Sequence, residues 1–163
     1  IGSSYLLDGI DENGETQYPI MGCYGIGVGR MAASICEVRH DDYGPIWPIT
    51  IAPWQVHLCC LRSDDAECKE KADEIYETLQ NMGIEVIYDD RKARPGAMFA
   101  DADLLGVPVR VVVSPRNLAE NVVEISTRDK SIDKQKTPVD QAVTEVQNII
   151  NKLTADINSK VNK

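Results

Sequence analysis

An almost unbroken apolar run at residues 107–113 constrains the fold of this chain more than any other feature. A strand that is apolar on both faces is typical of the centre of a sheet covered by helices on both sides. The run ends a regular alternation: an apolar strand at 55–62, an amphipathic helix at 64–82, a strand at 84–88 and a short helix at 97–105. Strands that alternate with helices predict an α/β fold with a parallel or mixed sheet.

The residues that follow extend this sheet. Residues 122–127 and 131–136 predict a hairpin, and Thr137 followed by Pro138 predicts the N-cap and the first position of a last helix. Apolar side chains recur along that helix with helical spacing. Residues 48–163 are therefore predicted to form a mixed five-stranded sheet with three helices.

Residues 1–47 have a different pattern. A polar turn at 11–14, Asp-Glu-Asn-Gly, predicts a hairpin, and it is followed by a strand at 18–24 and a helix from Val28 onward. An extended linker then contains three prolines: Pro45, Pro48 and Pro53. Because such a linker is typical of the boundary between two packing units, we expect one domain at 1–47 and a second at 48–163.

The charge of the chain is unevenly distributed. Its formal net charge is −9, from 17 basic and 26 acidic residues. Residues 1–87 contain 5 Lys or Arg and 15 Asp or Glu, whereas residues 88–136 contain 9 and 8. The overall charge disfavours non-specific binding to nucleic acid, which requires the neutralisation of phosphates. An anionic partner is therefore expected at 88–136.

The cysteines and histidines indicate neither a disulfide framework nor a metal site. There are five cysteines, none in a Cys-x-x-Cys pair, which favours a reducing compartment. Cys59 and Cys60 are neighbours on a predicted strand and should point to opposite faces. His57 and Cys59 can share a face, but two ligands do not make a zinc site, and we expect a buried thiol beside a hydrogen-bonded imidazole.

The sequence predicts neither a membrane-spanning segment nor a targeting segment. No apolar run approaches the roughly 20 residues that are needed to cross a bilayer, so we expect no membrane association. The sequence begins with Ile1 and has no recognisable targeting segment. We therefore expect this chain to be a piece of a longer protein.

The densest candidate site is the glycine string at 22–30, Gly-Cys-Tyr-Gly-Ile-Gly-Val-Gly-Arg. Such a string lets the backbone approach a phosphate, with Arg30 and a helix N-terminus supplying positive charge. Tight packing, with Arg30 as a surface charge, explains the glycines equally well. A dinucleotide fingerprint at Gly27, Gly29 and Ala32 would need a βαβ unit, and the proline-rich linker excludes it.

Residues 20–30, Ile-Met-Gly-Cys-Tyr-Gly-Ile-Gly-Val-Gly-Arg, resemble the third signature motif of class II prolyl-tRNA synthetases. Residues 1–5 are similar to the stretch before that motif. Residues 47–53 resemble the link between the catalytic and anticodon-binding domains of the family. Residues 89–108 and 111–117 resemble the second of those domains, so the resemblance covers nearly the whole chain in the expected order.

The resemblance implies a C-terminal fragment of the bacterial type. Residues 1–47 would be the end of the catalytic domain, with a remnant of its antiparallel sheet, and residues 48–163 a complete anticodon-binding domain. The full-length enzyme would be a cytoplasmic homodimer that joins L-proline to its tRNA through prolyl-adenylate, using ATP and Mg²⁺. The fragment alone would bind the tRNA anticodon, hold no cofactor tightly and activate no proline.

The resemblance also implies roles for the glycine string. Arg30 would be the catalytic arginine that grips the γ-phosphate of ATP. The pocket for the adenylate and proline would be lined by Gly22, Cys23, Gly25, Gly27 and Arg30. The alternative is a non-catalytic accessory module that shares the anticodon-binding fold, but such a module has no need for a phosphate-gripping Arg30.

Charged residues around Pro95 are the second candidate site. The anticodon of proline tRNAs carries two guanines; an arginine can donate to O6 and N7 of guanine, and a carboxylate can accept from N1–H and N2–H₂. Residues expected to read the anticodon are Asp89, Asp90, Arg91, Arg94, Asp101 and Asp103. Contacts to the tRNA backbone are expected from Arg110, Arg116, Arg128, Lys130 and Lys134. Solvated ion pairs of little energetic value are the alternative.

Two further positions near this cluster affect the expectation. The family commonly has Lys where this chain has Met98, and a methionine cannot donate a hydrogen bond to RNA. We therefore expect weaker contacts near that position. Phe99 and Trp54 could stack on a base, but packing in the core or at the linker is the expected role of both.

Overall fold

The computed structural model describes residues 9–18 and 22–161. Two compact units divide the chain, Ile1–Met31 and Ala32–Lys163. The stretch at 1–5 and residues 19–21 of the predicted strand lie outside the described residues. The domain boundary expected at 47/48 stays a prediction.

The first unit contains a small hairpin of β1 (Gly9–Ile10) and β2 (Thr16–Gln17), which pair antiparallel. The carboxylate of Asp11 accepts hydrogen bonds from the backbone N–H of Asn13 and Glu15, both at 2.9 Å, and so fixes the turn. The predicted hairpin is confirmed. The predicted strand at 18–24 is wrong for its described residues, which lie in no strand.

Helix α1 (Val28–Val38) confirms the helix expected after the glycine string. Within the second unit lies a second small hairpin, formed by β3 (His40–Asp41) and β4 (Gly44–Pro45). The backbone N–H of Tyr43 donates to Asp41 Oδ1 at 2.9 Å, which closes this hairpin.

The main sheet has five strands: β5 (Val56–Cys60), β6 (Val86–Asp89), β7 (Val109–Val113), β8 (Val122–Thr127) and β9 (Gln135–Pro138). Their order is β6-β5-β7-β8-β9. Strand β5 pairs parallel with β6 and β7, and β8 pairs antiparallel with β7 and β9. The mixed five-stranded sheet predicted from the alternation is confirmed, with the apolar β7 at its centre.

Four helices accompany the sheet: α2 (Ala66–Asn81), α3 (Pro95–Leu105), α4 (Pro115–Leu118) and α5 (Ala142–Val161). Three of them were expected. The short α4 was not predicted. In it, the Ser114 side chain caps the first turn by accepting a hydrogen bond from the backbone N–H of Asn117 at 3.3 Å.

The start of the last helix differs from its prediction. Thr137 was expected to be the N-cap, but it is a buried residue of β9 and pairs with Val123 of β8. A 3₁₀ turn at Val139–Gln141 then leads into α5. The sheet therefore continues through Pro138, where the helix was expected to begin.

The two faces of the sheet are covered differently. Side chains alternate along each strand, so Cys60 lies in the large core with α2 and α5, whereas Cys59 lies on the other face. On that second face, Cys59 and Val112 pack against Met98 of α3. The prediction that Cys59 and Cys60 point apart is confirmed. The second face, with α3 across it, holds the cavities described next.

Candidate nucleic-acid interface

Helix α3 separates two cavities on the second face of the sheet. Asp101, Leu104 and Leu105 line the cavity toward β5 and β6, together with His57, Asp89 and Arg91 of those strands and the loop after them; we call it the edge pocket. Phe99 and Asp103 line the cavity toward β7, β8 and β9, which we call the groove. Residues two apart on a helix lie on nearly opposite sides, which places Asp101 and Asp103 in different cavities.

The edge pocket has a volume of about 330 Å³, and three of its lining side chains form ion pairs with one another. Arg91 donates from Nε and Nη2 to the two carboxylate oxygens of Asp89, at 2.9 and 2.8 Å, and from Nη2 to Asp101 at 2.7 Å. These bonds hold the pKa of Asp89 below its ordinary value. The three side chains meet as predicted, but Nε and Nη2 of Arg91 are occupied by the two carboxylates.

The remaining members of the predicted anticodon-reading set are dispersed. Asp90 and Arg94 are exposed on the loop between β6 and α3, and Arg94 precedes the helix without making a side-chain cap bond. Asp103 lies across α3 in the groove. The predicted cluster is thus divided by the helix, and the two-residue spacing of Asp101 and Asp103 was the signal for it.

His57 lies in the edge pocket and is 2% exposed. Neither ring nitrogen has a hydrogen-bond partner among the described residues, so the expected hydrogen-bonded imidazole is wrong. Burial lowers the pKa of His57 to about 4, because the charged form would lose its hydration. The imidazole is therefore neutral at pH 7.

The groove has a volume of about 560 Å³. Its floor is formed by strand side chains that alternate with those of the large core. Val123 and Ile125 point into the large core, so Glu124 and Ser126 of β8 point into the groove. Six cationic residues line it, and besides Arg110 and Arg128 these are Arg116, Lys130, Lys134 and Lys136. The first three were predicted as backbone contacts. Lys136 and Asn117, which the sequence analysis missed, also line the groove.

Arg110 of β7 is the arginine at the centre of the groove. Its guanidinium donates to Asp103 and lies over the ring of Phe99, with the guanidinium carbon 5.6 Å from the ring centroid. Only 19% of the side chain is exposed. Its Nε has no hydrogen-bond partner among the described residues, although it is buried. Within the described part of the chain, the Nε of Arg110 is therefore unbonded, whereas the Nε of Arg91 donates to Asp89.

Arg128 was expected to contact the tRNA backbone, but 3% of its side chain is exposed. Nη1 and Nη2 donate to the two carboxylate oxygens of Asp41, at 2.8 and 2.6 Å. Nη2 also donates to the carbonyl of Gly44 and Nε to that of Asp103, at 3.0 and 3.3 Å. This arrangement gives a phosphate no access to Arg128. Lys130, by contrast, is 69% exposed.

Met98 faces neither cavity. Its side chain is fully buried between α3 and the sheet, in contact with Cys59 and Val112. The expected weakening of RNA contacts at this position therefore has no structural basis. Phe99 packs against the same small core, as expected, and its partly exposed ring also lines the groove.

The glycine string is exposed throughout its described residues, which include Gly22, Cys23, Gly25 and Gly27. Helix α1 begins at Val28, and Arg30 lies in its exposed first turn, where a helix N-terminus favours anions. These residues fit part of a phosphate site. In the part of the chain that the structure describes, no group of three or more His, Cys, Asp or Glu side chains is placed to hold a metal ion.

The chain is similar to known proteins in sequence. Residues 55–149 match a family model described as anticodon binding domain. A proline–tRNA ligase of Syntrophus aciditrophicus is 44% identical over 148 residues, which are 90% of this chain and 25% of that protein. One of Maridesulfovibrio salexigens is 47% identical over 131 residues, 80% of this chain and 22% of that protein. The chain thus spans about a quarter of the length of the curated relatives it matches.

A solved structure has the same fold. The crystal structure of prolyl-tRNA synthetase from Cryptosporidium parvum, complexed with L-proline and AMP, gives a TM-score of 0.70 at 20% sequence identity. The match covers 95% of this chain and 34% of that one. Over residues 9–18 and 22–161, no helix combines the length and the apolar character that a membrane span requires.

Proposed function

The chain belongs to the anticodon binding domain family, and on that premise we propose that it is the anticodon-binding part of a prolyl-tRNA synthetase whose groove takes the anticodon loop. The observation that carries the proposal is Arg110. This arginine is largely buried, is held by Asp103 and Phe99, and lines a cavity together with other cations; its buried Nε has no hydrogen-bond partner among the described residues.

The three side chains at the centre of the groove suit an unpaired guanine. Arg110 can donate to O6 and N7 of the base, and the Asp103 carboxylate can accept from N1–H and N2–H₂. The ring of Phe99 offers a stacking surface that is indifferent to base identity. Recognition of unstacked bases by such forks and rings is the usual way in which proteins read single-stranded RNA.

Phosphate contacts fall to the cations that line the groove. Arg116, Lys130, Lys134 and Lys136 lie around the reading group, where they can hold the RNA backbone without selecting its sequence. In a chain whose net charge is −9, this local concentration of positive charge directs an RNA loop to the groove.

The edge pocket has a different role in this proposal. Asp89, Arg91 and Asp101 stabilise the loop that leads into α3, and they leave the reading of bases to the other side of the helix. Asp90 and Arg94 stand exposed on that loop, where they can contact RNA that extends beyond the groove.

The full-length protein would ligate L-proline to its tRNA through prolyl-adenylate, using ATP and Mg²⁺, as a cytoplasmic homodimer. Residues 1–47 would end the catalytic domain and residues 48–163 would bind the anticodon. Gly22, Cys23, Gly25, Gly27 and Arg30 would line the adenylate and proline pocket, with Arg30 on the γ-phosphate. Proline-dependent pyrophosphate exchange by the full-length protein separates this function from a non-catalytic module; this chain alone should show none.

The decisive experiment measures the affinity of this chain for two anticodon stem-loops, one of a proline tRNA and one with both anticodon guanines replaced by adenine. We expect a loss of roughly 1–3 kcal/mol for each guanine. Arg110→Lys keeps the charge and removes the fork, so it should reduce the difference by the contribution of the guanine that Arg110 reads. Arg91→Lys in the edge pocket is the matched control and should retain it. Equal binding of the two RNAs by the unaltered chain would contradict the proposal.

A further inference from the structure

The groove is connected to the hairpin β3–β4 by an ion network, and we infer that Asp41 of this hairpin is a positioning residue for base reading. The inference rests on the proposed function of the groove. Through Arg128, Asp41 determines how Asp103 is shared and therefore how Arg110 is held. Asp41 reaches this network from 87 residues away in sequence.

The carboxylate of Asp41 has two cationic partners, Arg128 and Lys130. Its two carboxylate oxygens accept from Arg128 at 2.6 and 2.8 Å, and Lys130 lies 3.4 Å away. Its Oδ1 also accepts the backbone N–H of Tyr43, at 2.9 Å. The bond from Arg128 is the main cause that holds the pKa of Asp41 far below its ordinary value. The carboxylate therefore stays charged at any pH at which the protein would be used.

Arg128 carries this contact to the groove. Its Nε donates to the carbonyl of Asp103 at 3.3 Å and lies 3.9 Å from the Asp103 carboxylate. The backbone N–H of Arg128 donates to the carbonyl of Pro108 at 2.8 Å, which fixes the position from which its side chain extends. The carboxylate of Asp103 thus lies between two arginines. Arg110 contacts it directly, and Arg128 lies just beyond hydrogen-bond distance from it.

The hairpin packs closely against the end of α3. A Cβ atom added to Gly106 would lie 2.3 Å from the carbonyl oxygen of Pro45, and one added to Gly44 would lie 2.7 Å from that of Asp103. Backbone meets backbone at both points. The carboxylate of Asp41 is therefore presented to Arg128 in one geometry.

Removal of the charge on Asp41 would change the groove from a distance. Arg128 would be left as a buried cation without its main partner, which is strongly unfavourable. The nearest remaining carboxylate is that of Asp103, 3.9 Å away. Arg128 would draw Asp103 from Arg110, and the guanine edge would then meet a displaced acceptor and a donor fork that is no longer held.

The same connection works in the opposite direction. Because coupling free energies are reciprocal, an RNA loop that binds Asp103 and Arg110 in their observed arrangement stabilises the docked hairpin. Binding of a guanine in the groove should therefore slow the opening of residues 40–46, and binding of an RNA without the guanines should slow it less.

The first test measures the guanine-to-adenine affinity ratio of the two stem-loops for Asp41→Asn. The matched control is Glu74→Gln, which makes the same chemical change in an exposed ion pair with Lys71 on α2, on the opposite face of the sheet. We expect the ratio to fall at least about fivefold in Asp41→Asn and to be unchanged in Glu74→Gln. Reduced stability alone would lower both affinities together and leave the ratio as it was.

A second measurement uses the unaltered chain, so that it does not depend on the folding of a variant. Backbone hydrogen exchange at residues 40–46 should slow more with the guanine-containing stem-loop than with the adenine one at equal saturation. An unchanged ratio in folded Asp41→Asn, or equal exchange with both RNAs, would overturn the inference while the groove keeps its function. If the unaltered chain does not distinguish the RNAs, the proposed function fails and the inference with it.

Discussion

The two sides of α3 contain similar groups in different states. In the edge pocket, Arg91 donates to two carboxylates and remains 56% exposed. In the groove, Arg110 has one carboxylate partner, is 19% exposed and keeps an unpartnered donor. Three N–H groups of Arg91 are already bonded to carboxylates, and a base that used them would first have to break those bonds.

The difference shows that the number of charged residues does not identify a recognition site. Asp89, Arg91 and Asp101 form the denser cluster in the sequence, and they stabilise a loop. In the groove, Arg110 is held by a single carboxylate, lies over the ring of Phe99 and lines a cavity. A preorganised donor that is not yet paired is what base recognition requires.

The largest loss of unfolding free energy is expected at Gly106, because this residue ends the helix that lines both the edge pocket and the groove. Gly106 ends α3 with φ at +69°, and an added Cβ would meet the backbone of Pro45. Gly106→Ala should cost about 3 kcal/mol or more of unfolding free energy, since a strained backbone and a clash add together. Gly83→Ala, at φ +77° with open space around it, should cost only roughly 1–2 kcal/mol. Denaturant unfolding of both variants checks this, and equal losses would contradict it.

The second prediction is that His57 of the edge pocket makes the unfolding free energy depend on pH. The folded chain resists protonation of His57 down to about pH 4, whereas in the unfolded chain the imidazole takes a proton near its ordinary value of 6.5. Unfolding is therefore favoured as the pH falls from 6.5 to 4, by on the order of 3 kcal/mol. Denaturant unfolding at pH 7 and pH 5 should show about 2 kcal/mol of this loss, and His57→Leu should reduce it. An identical pH dependence in His57→Leu would exclude this histidine as the cause.

Sequence reasoning identified the fold well, because the strands and helices leave strong periodic signals. The apolar run of β7 predicted a central strand, and the spacing of Cys59 and Cys60 predicted their opposite faces. The last helix began later than expected because Thr137 satisfies the criteria for a helix cap and for a strand equally well. Tertiary pairing with Val123 decided between them.

The candidate site was only partly predictable. The sequence supplied most of the cations of the groove and Asp103, but it could not show which donors are already paired. Arg128 illustrates the limit: it resembled a surface phosphate contact, and its partner Asp41 is 87 residues away. Alternation on β8 could have indicated Glu124 and Ser126, because their neighbours on the strand are plainly core residues.

A smaller effect should follow from loss of the buried carboxylate in the edge pocket. Asp89 is 5% exposed and accepts from both the side chain and the backbone N–H of Arg91. Asp89→Asn should cost about 1–2 kcal/mol of unfolding free energy, because the exposed Arg91 can regain water. The guanine-to-adenine affinity ratio should remain that of the unaltered chain. A loss of the ratio would place base reading on both sides of α3.

The smallest effect is expected at the rim of the groove. Lys136 forms an exposed ion pair with Glu120, at 2.5 Å, that contributes little to stability. Lys136→Gln should weaken both stem-loops equally and lower the slope of log affinity against log salt by about 0.7–1, the value of one phosphate contact. Lys71→Gln breaks a similar exposed pair on the opposite face and should leave the slope unchanged. A change in the ratio of the two RNAs in Lys136→Gln would mean that this lysine contacts a base, and the division between a reading centre and a phosphate-binding rim would fail.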